Sequence, residues 1–357
     1  MVSRSSIAIL GPARFSVDQP FAGGMEMHTS TLAEQLAVRG HDVTVYAAAG
    51  TGRFRLAPML PIAVDPDINA RRDIARCTEV TASERRSYLD AIGRLAVGGH
   101  DVVHVNAVHH LAFARSHRIP DIVSGTLHTT PVGRLAAAVV RARTGPRPIQ
   151  LASVSATNAR SWAPLVDGVR VIPNGVDLRS WRQGLGGGGA VWTGRLVAEK
   201  APHLAIDAAR LAGMPLRLLG PAHDPAYFDG MIRPRLGGSV EYLGHGTVAE
   251  LADAVGSAAV AVVTPTWDEP FGLVVAEALA CGTPVAGFAM GALVELVDSS
   301  TGRLARCGDV AGLADAMRAA AELDRDGCRA RAREHFSVER MVDGYESWFA
   351  ELLARRR

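Results

Sequence analysis

The sequence predicts an α/β protein made of two doubly wound domains, each a parallel sheet with helices on both faces. Short apolar segments of strand length alternate with amphipathic segments of helical period along nearly the whole chain, as in strand–helix–strand units. The alternation breaks once near the middle, at the turn-forming stretch PNGVD, residues 173–177. A chain of 357 residues is long enough for two such domains, so we expect the boundary there.

Composition and charge narrow the class of protein. A net charge of +2 is too small to indicate a nucleic-acid partner. The four cysteines form no CxxC pair, which suits a reducing compartment and disfavours a disulfide framework. The N-terminal stretch has only a short apolar core, too short for a secretory signal, and the longest uncharged run is interrupted by Pro284 and glycines. We therefore expect a cytoplasmic protein without a transmembrane segment.

Six strands alternate with helices in the first half. We expect the strands at 6–10, 43–47, 101–105, 122–127, 151–154 and 169–172, and the helices at 25–40, 84–97, 131–143 and 155–162. Gly23 and Gly24 lie between the first strand and the first helix, where a backbone without side chains can approach a phosphate, the alternative being that the pair only makes a turn. Residues 57–76 are interpreted as irregular. Asp65 and Asp67 within them are interpreted as turn residues and not as a metal site, because no strand precedes them.

Histidines follow the strands of this half. Ligands of open parallel sheets bind outside the carboxyl ends of the strands. His128 comes directly after its strand and is therefore the best-placed candidate, the alternative being a hydrogen-bonded loop histidine. His104 lies within its strand and is interpreted as a structural residue.

Two basic segments raise the question of a membrane surface. The helix at 131–143 carries Arg134, Arg141 and Arg143, and residues 355–357 are all arginine. Such helices bind anionic surfaces in some proteins, but a solvated face is the more common explanation. Peripheral membrane contact is therefore left open, and the arginine tail is interpreted as disordered.

The second half continues the same alternation. We expect strands at 190–193, 216–219, 240–243, 259–263 and 284–287, with helices between and after them. The segment QGLGGGG, 183–189, contains GxGxxG but precedes a strand, so it is interpreted as a flexible loop. Arg195 and Lys200 lie between a strand and a helix that Pro202 opens. Lys200 is the single lysine among 38 basic residues, and a compact ammonium is not interchangeable with a guanidinium, so we predict that it contacts a ligand.

The stretch WDEPFGLVVAEALACGTPV, 267–285, holds two glutamates with seven residues between them. Glu269 precedes a short helix and Glu277 lies about one turn inside it. Phe271, Gly272 and Leu273 place unpaired backbone N–H groups at the helix start, which favours an anion. The stretch predicts a site for a phosphorylated polyol such as a nucleotide sugar. The alternative is that Glu269 only complements the helix dipole.

In order and spacing, the GG pair, PNGVD, GR-x4-K and E-x7-E resemble the family-4 glycosyltransferases of the GT-B fold. The resemblance implies two facing Rossmann-like domains, an acceptor-side domain over 1–173 and a nucleotide-sugar-binding domain over 174–336. A final helix in 337–357 would cross back to the N-terminal domain. The implied reaction moves a sugar from a nucleoside-diphosphate sugar to a hydroxyl acceptor (a saccharide, a natural product or a lipid-linked compound) with retention of configuration. No metal and no cofactor are implied.

The resemblance also implies roles for single residues. Arg195 and Lys200 would bind the diphosphate and neutralise the leaving group, and Glu277 would take the ribose hydroxyls. Glu269 would hold hydroxyls of the donor sugar, and His128 would lie near the transferred sugar. The implied donor-binding set is Gly23, Gly24, Arg195, Lys200, Glu269, Phe271, Gly272, Leu273 and Glu277. The implied catalytic set is Glu269, His128, Arg195 and Lys200.

Two departures from the family pattern bear on these roles. Ala201 follows the lysine where members often have glycine, and AMGALVELV, with Gly291 and Glu295, replaces the usual glycine-rich loop before a Pro-Glu pair. Two other functions are kept as alternatives. A GT-B sugar-nucleotide epimerase would need no acceptor, and a non-catalytic nucleotide-sugar-binding protein would bind without turnover.

Overall fold

The computed structural model describes residues 4–62 and 82–356, and these form two compact units. The N-terminal unit holds the described residues up to 173 together with 338–356, and the C-terminal unit holds 174–337. The turn predicted at Asp65 and Asp67 lies outside the described residues.

The N-terminal unit is built on a parallel sheet. Its described strands are β1 Ser6–Leu10, β2 Asp42–Ala47, β3 Arg55–Pro58, β4 Val102–Val105, β5 Ile122–Leu127, β6 Gln150–Ser153 and β7 Arg170–Val171. The helices between them are α1 Gly24–Val38, α2 Ala82–Leu95, α3 His110–Ala114, α4 Gly133–Thr144 and α5 Ala156–Trp162. The strand order is β3-β2-β1-β4-β5-β6-β7, so the winding direction reverses between β1 and β4.

The alternation of side chains along β1 divides the core of this unit. Ile7 and Ile9 pack on one face with Leu32 of α1, whereas Ala8 and Leu10 pack on the other face with residues of α2. Positions buried on both faces of a strand must be apolar, and the four buried residues after Ser6 in SIAIL follow this pattern.

The C-terminal unit repeats the architecture. Its strands are β8 Ala190–Thr193, β9 Leu216–Leu219, β10 Val240–Tyr242, β11 Val260–Val263, β12 Val285–Phe288 and β13 Gly302–Ala305. Its helices are α6 Pro202–Ala212, α7 Pro225–Tyr227, α8 Val248–Gly256, α9 Leu273–Ala280, α10 Leu293–Leu296, α11 Val310–Ala321 and α12 Arg325–His335. The order β10-β9-β8-β11-β12-β13 reverses between β8 and β11.

The last helix, α13 Val338–Ala354, is part of the N-terminal unit. Met341, Tyr345 and Phe349 lie in the same buried cluster as Ile9 of β1. Arg39, directly after α1, adds ion pairs to two carboxylates of α13, at 2.6 Å to Asp343 and 2.5 Å to Glu346. The apolar face of α13 therefore completes the core on one side of the sheet.

The prediction of two doubly wound α/β domains is confirmed, but each sheet contains one strand that was not located in the sequence. The end of β3 overlaps the segment predicted to be irregular, and β13 was not predicted. Both are four-residue edge strands, each hydrogen-bonded to a single neighbouring strand. A half-exposed edge strand needs no continuous apolar run, and proline is tolerated there, so the sequence signal is weak.

The glycine-rich segment at 183–189 is not the free loop that its composition suggested. The N–H of Gly186 donates to the carbonyl of Gly256 at 3.0 Å. A Cβ on Gly184 would lie only 2.2 Å from the same carbonyl oxygen. The glycines are needed because this backbone lies directly against the end of α8.

Candidate active site

Each unit places a polar cluster where its winding direction reverses. In doubly wound sheets the crevice outside the strand ends at this point is the usual ligand site. His128 and its neighbours follow β4 and β5 of the N-terminal unit, and Lys200 and Glu269 follow β8 and β11 of the C-terminal unit. No helix among residues 4–62 and 82–356 is long and apolar enough to cross a bilayer.

Lys200 and Glu269, 69 positions apart in sequence, form an ion pair. The Glu269 carboxylate also accepts a hydrogen bond from the indole N–H of Trp267 at 3.1 Å. The Lys200 ammonium lies 5.3 Å from the centre of the Trp267 ring, within the range of a cation–π contact. The single lysine of the chain is therefore held next to the first carboxylate of E-x7-E, and its contact with a ligand stays a prediction.

The backbone at Lys200 is fixed by Thr264, which follows β11. The Thr264 hydroxyl lies 2.8 Å from the carbonyl oxygen of Lys200 and 3.1 Å from that of Ala201. Ala201 has φ +45° and ψ +49°, the left-handed conformation that costs a non-glycine residue roughly 1–2 kcal/mol. This explains why glycine is common after the lysine in the family. Here a buried alanine takes the same backbone conformation.

Arg195 follows β8 in the same turn as Lys200. Its guanidinium lies 3.7 Å from the carboxylate of Glu199, and its side chain is only 19% exposed. The carbonyl of Glu199 accepts the N–H of Thr266 at 2.8 Å, which joins this turn to the loop after β11. The cationic side chains of Arg195 and Lys200 thus lie on one short turn, which hydrogen bonds hold against the loop after β11.

Gly291 sets the backbone position of Glu269. A Cβ at Gly291 would lie 2.2 Å from the Glu269 nitrogen and 2.3 Å from its carbonyl oxygen, and the residue has φ +56°. The next residue, Ala292, donates its N–H to the Glu269 carbonyl at 2.8 Å. The segment AMG, residues 289–291, departs from the family pattern. It nevertheless fixes the position of the loop that carries Glu269, and we call this contact the clamp on Glu269. Glu295 lies beyond it, half-buried in α10.

The start of α9 offers backbone donors, as predicted. Gly272 caps the helix with φ +87°, a conformation that glycine adopts without strain. Within the described chain, the N–H groups of Phe271, Gly272 and Leu273 donate to no other residue. An eight-residue helix with free N–H groups at its start attracts an anion.

Glu277 lies in α9 and is only 7% exposed. Its side chain makes no hydrogen bond or ion pair to any residue that the structure describes. Burial raises its pKa from 4.5 to about 8. A buried carboxyl group without partners is costly unless a ligand supplies them, and the hydroxyls of a sugar ring are suitable partners.

We expect Glu277→Gln to gain stability relative to the wild type as the pH rises from about 5 to about 8. Below pH 4.5 the carboxyl group is protonated in both states, so it adds no pH dependence. Between 4.5 and about 8 the unfolded chain ionises and the folded chain does not, so the wild type is progressively destabilised. The difference approaches roughly 5 kcal/mol, at about 1.36 kcal/mol per pKa unit.

Urea unfolding at several pH values measures this difference. Glu250→Gln is the control, because its exposed carboxylate caps α8 and Thr247 lowers its pKa, so its ionisation adds little pH dependence above about pH 5. If the free energy of unfolding of Glu277→Gln relative to the wild type changed with pH no more than that of the control does, that result would contradict the raised pKa of Glu277.

In the N-terminal unit, Nε2 of His128 lies 2.6 Å from the side-chain oxygen of Asn106. The side-chain nitrogen of Asn106 lies 3.1 Å from Nδ1 of His28, a residue of α1. Burial, and to a lesser degree His28 and His104, hold the pKa of His128 well below its usual value, so the imidazole is neutral. The interpretation of His104 as structural is confirmed, since it is fully buried and hydrogen-bonded to Ser124 at 2.9 Å.

His28 was missed by the sequence reasoning. Its position four residues after Gly24, in GGMEMH, was the available signal, because residues at this spacing share a helix face.

Gly23 and Gly24 begin α1 as predicted, but a Cβ at Gly23 would lie 3.2 Å from the carboxylate of the buried Glu26. A carboxylate so close to the glycine pair makes it a poorer phosphate site than predicted.

The arginines of α4, the basic helix predicted at 131–143, form no cluster among the described residues that indicates a ligand. Arg143 of α4 pairs with Asp167 at 3.4 Å, and Arg134 and Arg141 are exposed. Arg355 and Arg356 are also exposed. These positions fit a solvated surface as well as a membrane contact, so the membrane hypothesis stays a prediction.

Two doubly wound sheets, each with a polar cluster at its reversal point, are the architecture expected of a GT-B protein. The family model for Glycosyltransferase Family 4 matches residues 22–180, and the model for Glycosyl transferases group 1 matches residues 188–322. The D-inositol 3-phosphate glycosyltransferase of Geodermatophilus obscurus is 30% identical over 94% of this chain and 87% of its own. The chain therefore belongs to the family-4 glycosyltransferases of the GT-B fold.

Two further proteins are similar along nearly their whole length. The glycogen synthase of Mycobacterium tuberculosis is 27% identical over 91% of this chain and 88% of its own. The Anabaena protein HepE, solved in complex with UDP and glucose, superposes with a TM-score of 0.75 at 18% identity over 98% of this chain and all of its own. At that identity the likeness concerns the fold.

Proposed function

We propose that this glycosyltransferase moves a sugar from a nucleoside-diphosphate sugar to a hydroxyl acceptor, with retention of configuration and without a metal. The observation that carries the proposal is the cluster after β8 and β11. Lys200 and Arg195 supply positive charge. The helix α9 supplies N–H groups and the buried Glu277, which have no partners among the residues that the structure describes. Cations, amide donors and a carboxyl group are the partners that a diphosphate and a ribose need.

The positive groups would act on the leaving diphosphate. Cleavage of the bond between sugar and phosphate builds negative charge on the leaving oxygen, and fixed cations aimed there lower the barrier. Lys200 and Arg195 would supply that charge, which in other enzymes comes from a divalent metal. Glu277 would accept hydrogen bonds from the ribose hydroxyls.

The carboxylate of Glu269 would hold hydroxyls of the donor sugar and would not attack the anomeric carbon. It already accepts from Lys200 and Trp267, which orients it and lowers its reactivity as a nucleophile. We therefore propose attack by the acceptor on the face from which the phosphate departs, with a phosphate oxygen taking the acceptor's proton. His128 would contact the transferred sugar.

The nucleotide is best identified by a thermal-shift panel of UDP, GDP, ADP and dTDP. A ligand at about 100 times its dissociation constant adds roughly 2.7 kcal/mol, which moves Tm by several degrees in a protein of this size. The HepE complex makes UDP the first candidate. A shift with one nucleotide that disappears in Lys200→Ala would support the site, and no shift with any of them would refute the assignment of Arg195, Lys200 and Glu277.

Turnover distinguishes the proposal from its alternatives. With the sugar form of that nucleotide and a panel of acceptors, including an inositol phosphate because of the Geodermatophilus relative, NMR of the product gives the anomeric configuration. We expect an axial donor to give an axial product, and full activity in the presence of a chelator. Product from donor alone would identify an epimerase, and tight binding without turnover would identify a non-catalytic binding protein.

A further inference from the structure

A continuous line of hydrogen bonds runs behind His128 inside the N-terminal unit. It joins side chains from α1, α13 and the neighbourhood of β4 and β5, with neighbouring atoms 2.6–3.5 Å apart. The members in order are His128, Asn106, His28, Tyr345, Thr126, His104 and Ser124. Every member is buried except His128, which is partly exposed.

The direction of this line is fixed at Thr29, beside Asn106. The Thr29 hydroxyl donates its only hydrogen to the carbonyl oxygen of Met25 in α1, at 2.8 Å. The Thr29 oxygen can therefore only accept from Asn106, which approaches to 2.7 Å. The group of Asn106 on this side must be its NH2, and its carbonyl oxygen must face His128.

Two tautomers follow from this orientation. Since the Asn106 oxygen can only accept, Nε2 of His128 must carry a hydrogen. The NH2 of Asn106 also faces Nδ1 of His28, which must accept, so His28 carries its hydrogen on Nε2. That hydrogen points to the hydroxyl oxygen of Tyr345, 3.5 Å away.

The rest of the line continues in the same direction. The Tyr345 hydroxyl donates to Thr126 at 2.8 Å, and Thr126 donates to Nε2 of His104 at 3.1 Å. His104 then donates from Nδ1 to Ser124 at 2.9 Å. Burial lowers the pKa of His28 to about 4 and that of His104 to about 3, so each ring is neutral and carries one hydrogen.

We propose that this line holds His128 as a neutral imidazole with its hydrogen on Nε2 and its Nδ1 lone pair presented to a ligand hydroxyl. Nδ1 of His128 has no hydrogen-bond partner among the residues that the structure describes. Asn106, His28 and Tyr345 are then positioning residues that act through His128. Only the nature of the ligand, a sugar hydroxyl, rests on the proposed function.

Long-range 1H–15N NMR of protein labelled with 15N-histidine reads each tautomer directly, without any substrate. We expect hydrogen on Nε2 in His128 and His28 and on Nδ1 in His104, with all three neutral at about pH 6. A cationic His128 at that pH, or hydrogen on its Nδ1, would overturn the proposal. Single histidine-to-glutamine substitutions assign the signals.

Tyr345→Phe tests the role of α13. It removes the acceptor of the His28 hydrogen and keeps the ring that packs on Phe349, with centroids 5.9 Å apart. We expect His28 to keep its hydrogen on Nε2, because Asn106 still donates to Nδ1, but with a shifted Nε2 signal since that hydrogen loses its acceptor. We also expect a kcat about tenfold lower with unchanged donor affinity, by analogy with the loss of an outer-shell partner. Tyr88→Phe is the matched control, because this buried tyrosine of the same unit donates to Gly11 at 3.3 Å outside the line.

Thr126→Val and Thr126→Ser repeat the test if Tyr345→Phe fails to fold. Valine keeps the shape and breaks the line, whereas serine keeps the hydroxyl and should restore the wild-type spectrum. An unchanged kcat in Tyr345→Phe and Thr126→Val would overturn the positioning role. An absence of any transferase activity in the wild type would count against the proposed function, and the NMR result would still decide the tautomers.

Discussion

Lys200→Ala is expected to lower kcat/KM by about 10²–10³ and to weaken nucleoside-diphosphate binding. The ammonium is the nearest described cation to Glu269, so its removal takes charge from the leaving group and also frees the Glu269 carboxylate. That carboxylate, 10% exposed, would then repel the diphosphate. Steady-state kinetics and calorimetry measure the two effects.

The control for Lys200→Ala is Arg233→Ala. Arg233 is exposed, lies in the same unit and pairs with Asp229 at 2.8 Å, so its loss should leave activity unchanged. Lys200→Arg keeps the charge but should recover only part of the activity, since the planar guanidinium is larger and differs in geometry. Activity close to wild type in Lys200→Ala would refute the role of this residue.

Because Lys200 is the single lysine, a second measurement is available. An amine-acylating reagent can modify only Lys200 and the terminal amino group. We expect the bound nucleoside diphosphate to protect Lys200 from acylation and to leave the terminal amine reactive. Equal labelling of Lys200 with and without the nucleotide would contradict its contact with the diphosphate.

Gly291→Ala is expected to abolish most activity without any change in a group that touches substrate. The new methyl carbon would lie 2.2 Å from the Glu269 nitrogen, so the loop that carries Glu269 must move. The left-handed backbone adds roughly 1–2 kcal/mol of strain, and overpacking typically costs a further 1–3 kcal/mol. A displaced carboxylate loses its bonds to Lys200 and Trp267, so we expect a lower kcat together with a lower Tm.

Gly213→Ala separates strain from displacement. Gly213 ends α6 with φ +68°, and a methyl group added there would have no other atom within 4 Å, so alanine costs strain alone. We expect it to lower Tm modestly and to leave kcat unchanged. If Gly291→Ala behaved in the same way as Gly213→Ala, the clamp on Glu269 would be refuted.

Much of the fold follows from local pattern. The strands of both sheets are short apolar runs because they are buried on both faces, and the helices that separate them are amphipathic. The edge strands β3 and β13 were missed because exposure on one edge removes that signal. The strand order itself is not encoded in any short stretch, since it depends on which strands pair.

Some features of the candidate site, like those of the fold, follow from local sequence, and others do not. Lys200, Glu269, Glu277 and the glycine at the start of α9 could be predicted, because spacing and residue type within short motifs indicate their chemistry. The clamp by Gly291 and the line from His28 to Tyr345 could not. These contacts join residues that are distant along the chain, such as His28 and Tyr345, 317 positions apart.

The sequence by itself determined the class of fold and the residues proposed to carry charge to a phosphate. These properties depend on near neighbours in the chain, and periodicity and spacing express them directly. The tertiary structure alone decided which side chain faces which. It paired Lys200 with Glu269, left Glu277 buried without a partner among the described residues, and oriented Asn106 through Thr29. The physical reason is that burial and hydrogen-bond direction are set by the order of strands in each sheet, which brings distant segments together.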